Sequence, residues 1–275
     1  MTVHDPVAAL PTAQPIESTP VRTAPWLSLR EVVSKPLPHL DGSPITRFLT
    51  RSTLALFRGN LLEVRGLEHI QPERDPFIIA LNHSQRAEAI LIPGFLFHLR
   101  AGKRIHFLAD WNFCLIPPVW VMYRCAQVIR IARKPAKPAF LNAFKPLFTD
   151  KEPGFDRARR VLESGASVGI FPEGTVNRHP SRLLKGYSGA AQLSLQSGVK
   201  VIPVGVKFPT NPAGKPIAPL APMVLDIGAP LVPPAKMAEP DLEFIRSWHE
   251  TIMQRISELS GKEWQSQTRR KQTCH

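Results

Sequence analysis

Two short segments carry residue types that could do chemistry together. The first, Asn82-His83-Ser84-Gln85-Arg86-Ala87-Glu88, sets an imidazole five residues ahead of a carboxylate. A histidine ordinarily titrates near pH 6.5, so it can remove a proton near neutrality, and a carboxylate on its second nitrogen fixes the tautomer and stabilises the imidazolium. On one continuous helix residues five apart point to different faces, so the pair can meet only if His83 lies in a loop and Glu88 opens a helix. Each residue also has a plainer reading: a strand-end histidine bonded to backbone, and a first-turn acid complementing the helix dipole. The second segment is Phe171-Pro172-Glu173-Gly174-Thr175, with Arg178 and Lys185 further on. A carboxylate next to glycine at a strand exit places a hydroxyl-binding acid beside exposed amides, and the basic residues supply charge for a phosphate. A polyol phosphate fits such a set; an ordinary Pro-Glu-Gly turn is the alternative.

These segments need strands that end where helices begin. Seven short aliphatic runs read as strands: Leu62–Val64, Pro76–Leu81, Ile105–Ala109, Ala126–Ile131, Ser167–Phe171, Lys200–Lys207 and Met223–Ile227. Helical stretches fill the gaps at Ala87–Leu99, Phe140–Phe148, Phe155–Ser164 and Ser188–Gln196. The alternation predicts an α/β domain with a mixed, largely parallel sheet flanked by helices, whose functional residues sit at strand-to-helix junctions. Residues 1–45 hold eight prolines and are expected to form a flexible arm. Ile45–Leu62 opens the domain with an N-terminal amphipathic helix that either packs on the core or lies on a membrane surface. A C-terminal helix runs from Glu239, so the domain spans 46–260 and residues 261–275 form a polar basic tail. Trp111–Tyr123 is apolar enough to touch lipid or line an acyl channel, and core packing explains it equally simply.

Among 275 residues, 35 Lys and Arg stand against 22 Asp and Glu, a net charge of +13. Hydrophobic residues make up 43%, which excludes a wholly disordered chain. A basic surface suits nucleic acid or an anionic membrane. No helix-turn-helix, zinc or ribonucleoprotein motif is recognisable, so no nucleic acid partner is expected. Cys114, Cys125 and Cys274 are too widely spaced for a disulfide framework or thiolate site. His98, His106, His179 and His249 lack metal-ligand spacing, and no metal site is expected. No apolar run is long enough to span a bilayer, and the N-terminus lacks the features of a secretory signal.

The order of four blocks resembles the glycerolipid acyltransferase family that includes the 1-acylglycerol-3-phosphate acyltransferases. Asn82–Glu88 matches the family's Asn-His-x-x-x-x-Asp block, Gln127–Arg133 its arginine block, Phe171–Thr175 its Phe-Pro-Glu-Gly-Thr block, and Val201–Val204 its proline block. The resemblance covers about residues 60–230 and implies a glycerophosphate-acyltransferase-like single domain without cofactor or metal. It implies transfer of a fatty acyl group from acyl-CoA or acyl carrier protein to a lysophospholipid acceptor, in the first place 1-acylglycerol-3-phosphate, giving phosphatidic acid. Another lysolipid, glycerol phosphate, or a non-catalytic lipid-binding role are the alternatives. His83 would then be the base and Glu88 its orienting acid, with Glu173 and Gly174 holding the acceptor's glycerol portion and Thr175 a further substrate-binding residue of the same block. Arg130, Arg133, Arg178 and Lys185 would be candidates for its phosphate. The implied location is peripheral, on the cytoplasmic face of a membrane. Two departures from the family pattern stand out: Glu88 replaces the usual aspartate, and Val176 follows Thr175 where the family usually has arginine.

Overall fold

The computed structural model describes residues 24–40, 44–149 and 152–265. Residues 1–23 and 41–43 of the arm and 266–275 of the tail lie outside the described residues. Seven strands, β1 (Leu61–Arg65), β2 (Ile78–Leu81), β3 (Ile105–Asp110), β4 (Ile129–Ile131), β5 (Ser167–Ile170), β6 (Val201–Lys207) and β7 (Met223–Ile227), form one sheet ordered β1-β7-β6-β2-β5-β3-β4. Only the β6–β7 pair is antiparallel. Each expected aliphatic run becomes a strand. The fourth starts late, at Ile129, because Gln127 adopts a left-handed conformation (φ 50°) that extended pairing does not allow.

Among the described residues eight α-helices accompany the sheet: α1 (Leu29–Ser34), α2 (Pro44–Phe57), α3 (Glu88–Leu99), α4 (Pro117–Cys125), α5 (Lys145–Phe148), α6 (Gly154–Glu163), α7 (Gly189–Ser197) and α8 (Leu242–Ser260). Two helices were not expected. α1 occupies the proline-free interval between Pro25 and Pro36, started by a reciprocal Ser28–Glu31 capping box. α4 begins on Pro117-Pro118, since proline is well suited to a first helical turn. Most of Phe140–Phe148 is a 3-10 run, Ala139–Phe144, and only α5 is α-helical.

β2 lies at the centre, and all four of its residues are buried. Its alternation sends Ile79 and Leu81 to a layer formed with Val32, Leu54, Leu91 and Phe95 from α1, α2 and α3. Ile78 and Ala80 face the opposite layer, with Leu162, Leu193, Ile252 and Ile256 from α6, α7 and α8. Burial on both faces is what a largely parallel sheet requires. α8 crosses β6 so closely that a Cβ on Gly205 would stand 2.2 Å from the Leu259 carbonyl carbon. Only glycine permits that approach, and it fixes where the chain after α8 re-enters the fold.

Candidate functional site

The parallel pairing of β2 with β5, in register from Ile78↔Val168 to Ala80↔Ile170, carries both strands to the same end of the sheet. There β2 delivers His83 and β5 delivers Glu173, and the two sequence segments become one site. Asn82 ends β2 by prolonging the ladder with its side chain: Oδ1 accepts from the Val206 amide (2.7 Å) and Nδ2 donates to the Val206 carbonyl (3.1 Å). His83 follows in the loop and Glu88 is the first residue of α3, which is the break the pair requires.

The His83 Nδ1 and Glu88 Oε2 atoms are 2.8 Å apart. Glu88 is fully buried, and the same oxygen also accepts the Ser84 amide (2.8 Å). Burial raises the Glu88 carboxyl above the usual carboxylate range, against the opposing pull of its hydrogen bond with His83 and of the charge there. The glutamate reaches the ring from the first residue of α3. Phe171 lies 4.4 Å, centroid to centroid, from the His83 ring and steadies its orientation. With Nδ1 turned to Glu88, Nε2 is the nitrogen left for a substrate proton.

Glu173 is 2% exposed. One oxygen accepts the His83 amide (3.0 Å); the other accepts the Asn177 side-chain amide (2.7 Å) and the Leu184 amide (2.9 Å). The Asn177 backbone N–H in turn donates to the His83 carbonyl (2.7 Å). What the Glu173 carboxylate holds directly is thus the His83 loop. Gly174 adopts φ +61°, and a Cβ there would meet the Tyr187 ring at 2.8 Å and an Arg133 guanidinium nitrogen at 3.1 Å. Arg133 stacks 3.4 Å above the Tyr187 ring, while Lys134 donates to the Gly174 carbonyl (2.6 Å). Thr175 is exposed beside them.

The other basic candidates are spread out. Arg130 is half-buried on edge strand β4, separated from β2 by β5 and β3. Arg178 donates to the Ile217 carbonyl (2.7 Å), clasping the loop after β6. Lys185 has an exposed side chain, and its carbonyl accepts from His249 and Trp264. Ser84, Asn177 and Tyr187 join the site with no sequence signal of their own. Lys262 is a further surprise, because it comes from the stretch read as tail: it is 4% exposed, and its ammonium donates to Ser84 Oγ (2.8 Å) and the His179 carbonyl (2.9 Å). Among the described residues no three His, Cys, Asp or Glu side chains gather as a metal site.

An apolar crevice of about 80 Å³ opens next to Glu88, from Ala89 and Ile90 along Pro93 and Phe97 of α3, roofed by Leu49 and Leu54 of α2 and by Met122 of α4. The Trp111–Tyr123 stretch divides between roles: Trp111 and Cys114 are core, Met122 and Tyr123 line the crevice, and Phe113 and Ile116 are exposed. No helix among the described residues is long and apolar enough to cross a membrane.

No curated protein matches the chain in sequence. Among solved structures, the crystal structure of the 1-acyl-sn-glycerophosphate (LPA) acyltransferase PlsC from Thermotoga maritima is similar in fold, with a TM-score of 0.53 and 21% identity over 80% of this chain and 81% of that one. The Acyltransferase family model matches residues 61–207, from β1 through β6 and across every part of the His83–Glu88–Glu173 site, and the chain belongs to that family.

Proposed function

We propose that this acyltransferase moves a fatty acyl group from a thioester, acyl-CoA or acyl carrier protein, to a hydroxyl of a lysophospholipid, with 1-acylglycerol-3-phosphate as acceptor and phosphatidic acid as product. The observation that carries the reading is the 2.8 Å contact between His83 and a fully buried Glu88 at the end of β2. His83 Nε2 removes the acceptor hydroxyl proton as that oxygen attacks the thioester carbonyl, while Glu88 accepts from Nδ1 and stabilises the imidazolium. The tetrahedral intermediate collapses by breaking the carbon–sulfur bond, and the departing thiolate takes the proton back from His83. No covalent acyl-enzyme is needed.

The acceptor's glycerol portion lies against the Gly174–Thr175 edge, with Glu173 fixing the loop from beneath. Its phosphate falls to Arg133, held over Tyr187, and to Arg130, with Arg178 and Lys185 as the further candidates. The acyl chain enters the crevice beside Glu88. Exposed Ile45, Phe48 and Leu56 on α2 alternate with Arg47 and Arg51, an arrangement suited to peripheral attachment at the cytoplasmic, anionic face of a membrane.

The test is acyl transfer from labelled palmitoyl- or oleoyl-CoA, and in parallel from acyl carrier protein, to a panel of lysophospholipids and glycerol phosphate. Transfer to 1-acylglycerol-3-phosphate that vanishes in His83→Ala supports the reading. Transfer to another lysolipid alone keeps the mechanism and replaces the acceptor. An unchanged rate in His83→Ala sinks the assignment of the base, and vesicle binding without transfer points to a lipid-binding role.

A further inference from the structure

The most unusual charged group outside the reacting pair is Lys262. It follows α8, in the segment that Gly205 allows to approach β6, and it is pinned there on both sides. The Glu263 amide donates to the Ser181 carbonyl (2.8 Å) and the Leu183 amide to the Glu263 carbonyl (2.8 Å), so Lys262 has a fixed backbone. A lysine is rarely buried unless it is paired. Burial pulls the Lys262 ammonium below the ordinary lysine range, and the charges of Glu173 and Glu88 act in the opposite direction. Both of its hydrogen bonds go to neutral oxygens, Ser84 Oγ and the His179 carbonyl. Ser84 is fully buried, and its amide is the second donor to the Glu88 oxygen that faces His83.

We propose that Lys262 is a positioning residue for the His83–Glu88 pair: it anchors Ser84, and its positive charge offsets the two buried carboxyl groups of Glu88 and Glu173 so that Glu88 stays an acceptor for the imidazole. The inference rests on His83 acting as the base. The charges that reach Lys262 are those of Glu88 from α3 and Glu173 from the loop after β5, and His179 presents its carbonyl to it; His83 is tied to both carboxyl groups, through its ring to Glu88 and its amide to Glu173. Without the cation, a second proton in this cluster is less costly. The coupled pair then takes up its proton at higher pH, whichever of the two partners carries it. Either way His83 is lost as a base at a pH where it now works.

The test measures the pH midpoint of the His83 ring by NMR, assigned by its absence in His83→Gln, and the pH profile of kcat, in wild type, Lys262→Gln and Lys262→Met. A nearby opposite charge moves a carboxyl group by one or more pH units. The ring midpoint and the acid limb of kcat are therefore expected to rise together by about one unit in both variants. That shift lowers kcat about tenfold on the acid limb and leaves the plateau nearly unchanged. A loss of activity equal at all pH values, or no shift in either variant, overturns the proposal. So does a shift in Lys262→Met that Lys262→Gln restores, since glutamine replaces the hydrogen bonds and not the charge. If neither neutral variant folds, Lys262→Arg decides: a retained cation keeps the wild-type midpoint, and an elevated one refutes the charge argument. The ring titration needs no turnover, so a chain that transfers no acyl group still reports on Lys262, and the two readings fail separately.

Discussion

Glu88→Gln separates orientation from charge in the reacting pair, and its outcome can be worked from the geometry. Glutamine is nearly isosteric, and its carbonyl oxygen can still accept from the His83 ring and from the Ser84 amide, each now 2.8 Å from Glu88 Oε2. What disappears is the negative charge facing the imidazolium that forms as the acceptor hydroxyl is deprotonated. Two unit charges about 4 Å apart interact by about 4 kcal/mol at an effective dielectric near 20. If proton transfer is half complete in the transition state, about 2 kcal/mol is lost, or roughly thirtyfold in kcat. Donor KM should hardly move, because the crevice proposed for the acyl chain is lined from Ala89 onward and not by Glu88. Stability should move the other way or not at all. Glu88 Oε1 is already buried without a hydrogen-bond partner among the described residues, and burial disfavours the charged carboxylate. Steady-state kinetics with a thermal melt on the same sample read both quantities. A kcat within threefold of wild type, or equal losses in kcat and donor affinity, refutes the orienting and charge-stabilising role. A large drop in Tm would make Glu88 structural instead.

Three further outcomes follow from other parts of the molecule. Gly205→Ala drives a methyl into the Leu259 backbone and should cost about 3 kcal/mol, lowering Tm by roughly 6–10 °C, with a wild-type Tm as the contrary result. Gly174→Ala faces both a left-handed φ and the Tyr187 ring, so kcat/KM for the acceptor should fall at least tenfold while donor KM is unchanged. Buried His98 has its pKa lowered to about 4, chiefly by burial, with the positive charges of Lys35 and Arg51 adding to it. Because the folded value lies below the unfolded one, this histidine favours folding fully above about pH 6.5. That contribution is lost as pH falls toward 4, about 3 kcal/mol in all; denaturant melts of His98→Leu should show a flatter acid profile.

The divide between what sequence carried and what it hid follows the range of the interactions. Strand identity is local: a run such as Phe77–Leu81 is aliphatic because both faces of β2 are covered, and that pattern is legible without knowing the partners. The meeting of His83 with Glu88 was conditional on a chain break between them, also local, and Ala87–Leu99 was read as a helix starting at that place. The role of Glu173 was not local. Its hydroxyl-binding potential was a statement about residue type, whereas its hydrogen bonds to the His83 amide and Asn177 arise from the pairing of β2 with β5 across 90 residues. Helix α4 is hidden in the sequence because Pro117-Pro118 breaks the apolar pattern at the very place where proline suits a first helical turn.

Lys262 lies furthest beyond sequence reading, and the reason is physical. In composition it belongs to a polar C-terminal stretch, and no periodicity marks it. It reaches Ser84 across 178 residues only because α8 packs on Gly205, where the absence of a side chain lets Leu259 and Ser260 lie against β6. A close backbone approach is invisible in a hydrophobic pattern, yet it decides which residue enters the site from the far end of the chain. The His83–Glu88 pair therefore depends on the sheet in two ways: β2 and β5 set its geometry, while β6, through Gly205 and α8, brings in the positive charge beneath it. Gly205→Ala should on this account disturb the pH profile of turnover as well as the melt, in the same upward direction as the neutral Lys262 variants. A destabilised Gly205→Ala protein whose acid limb stays at the wild-type pH would break that link.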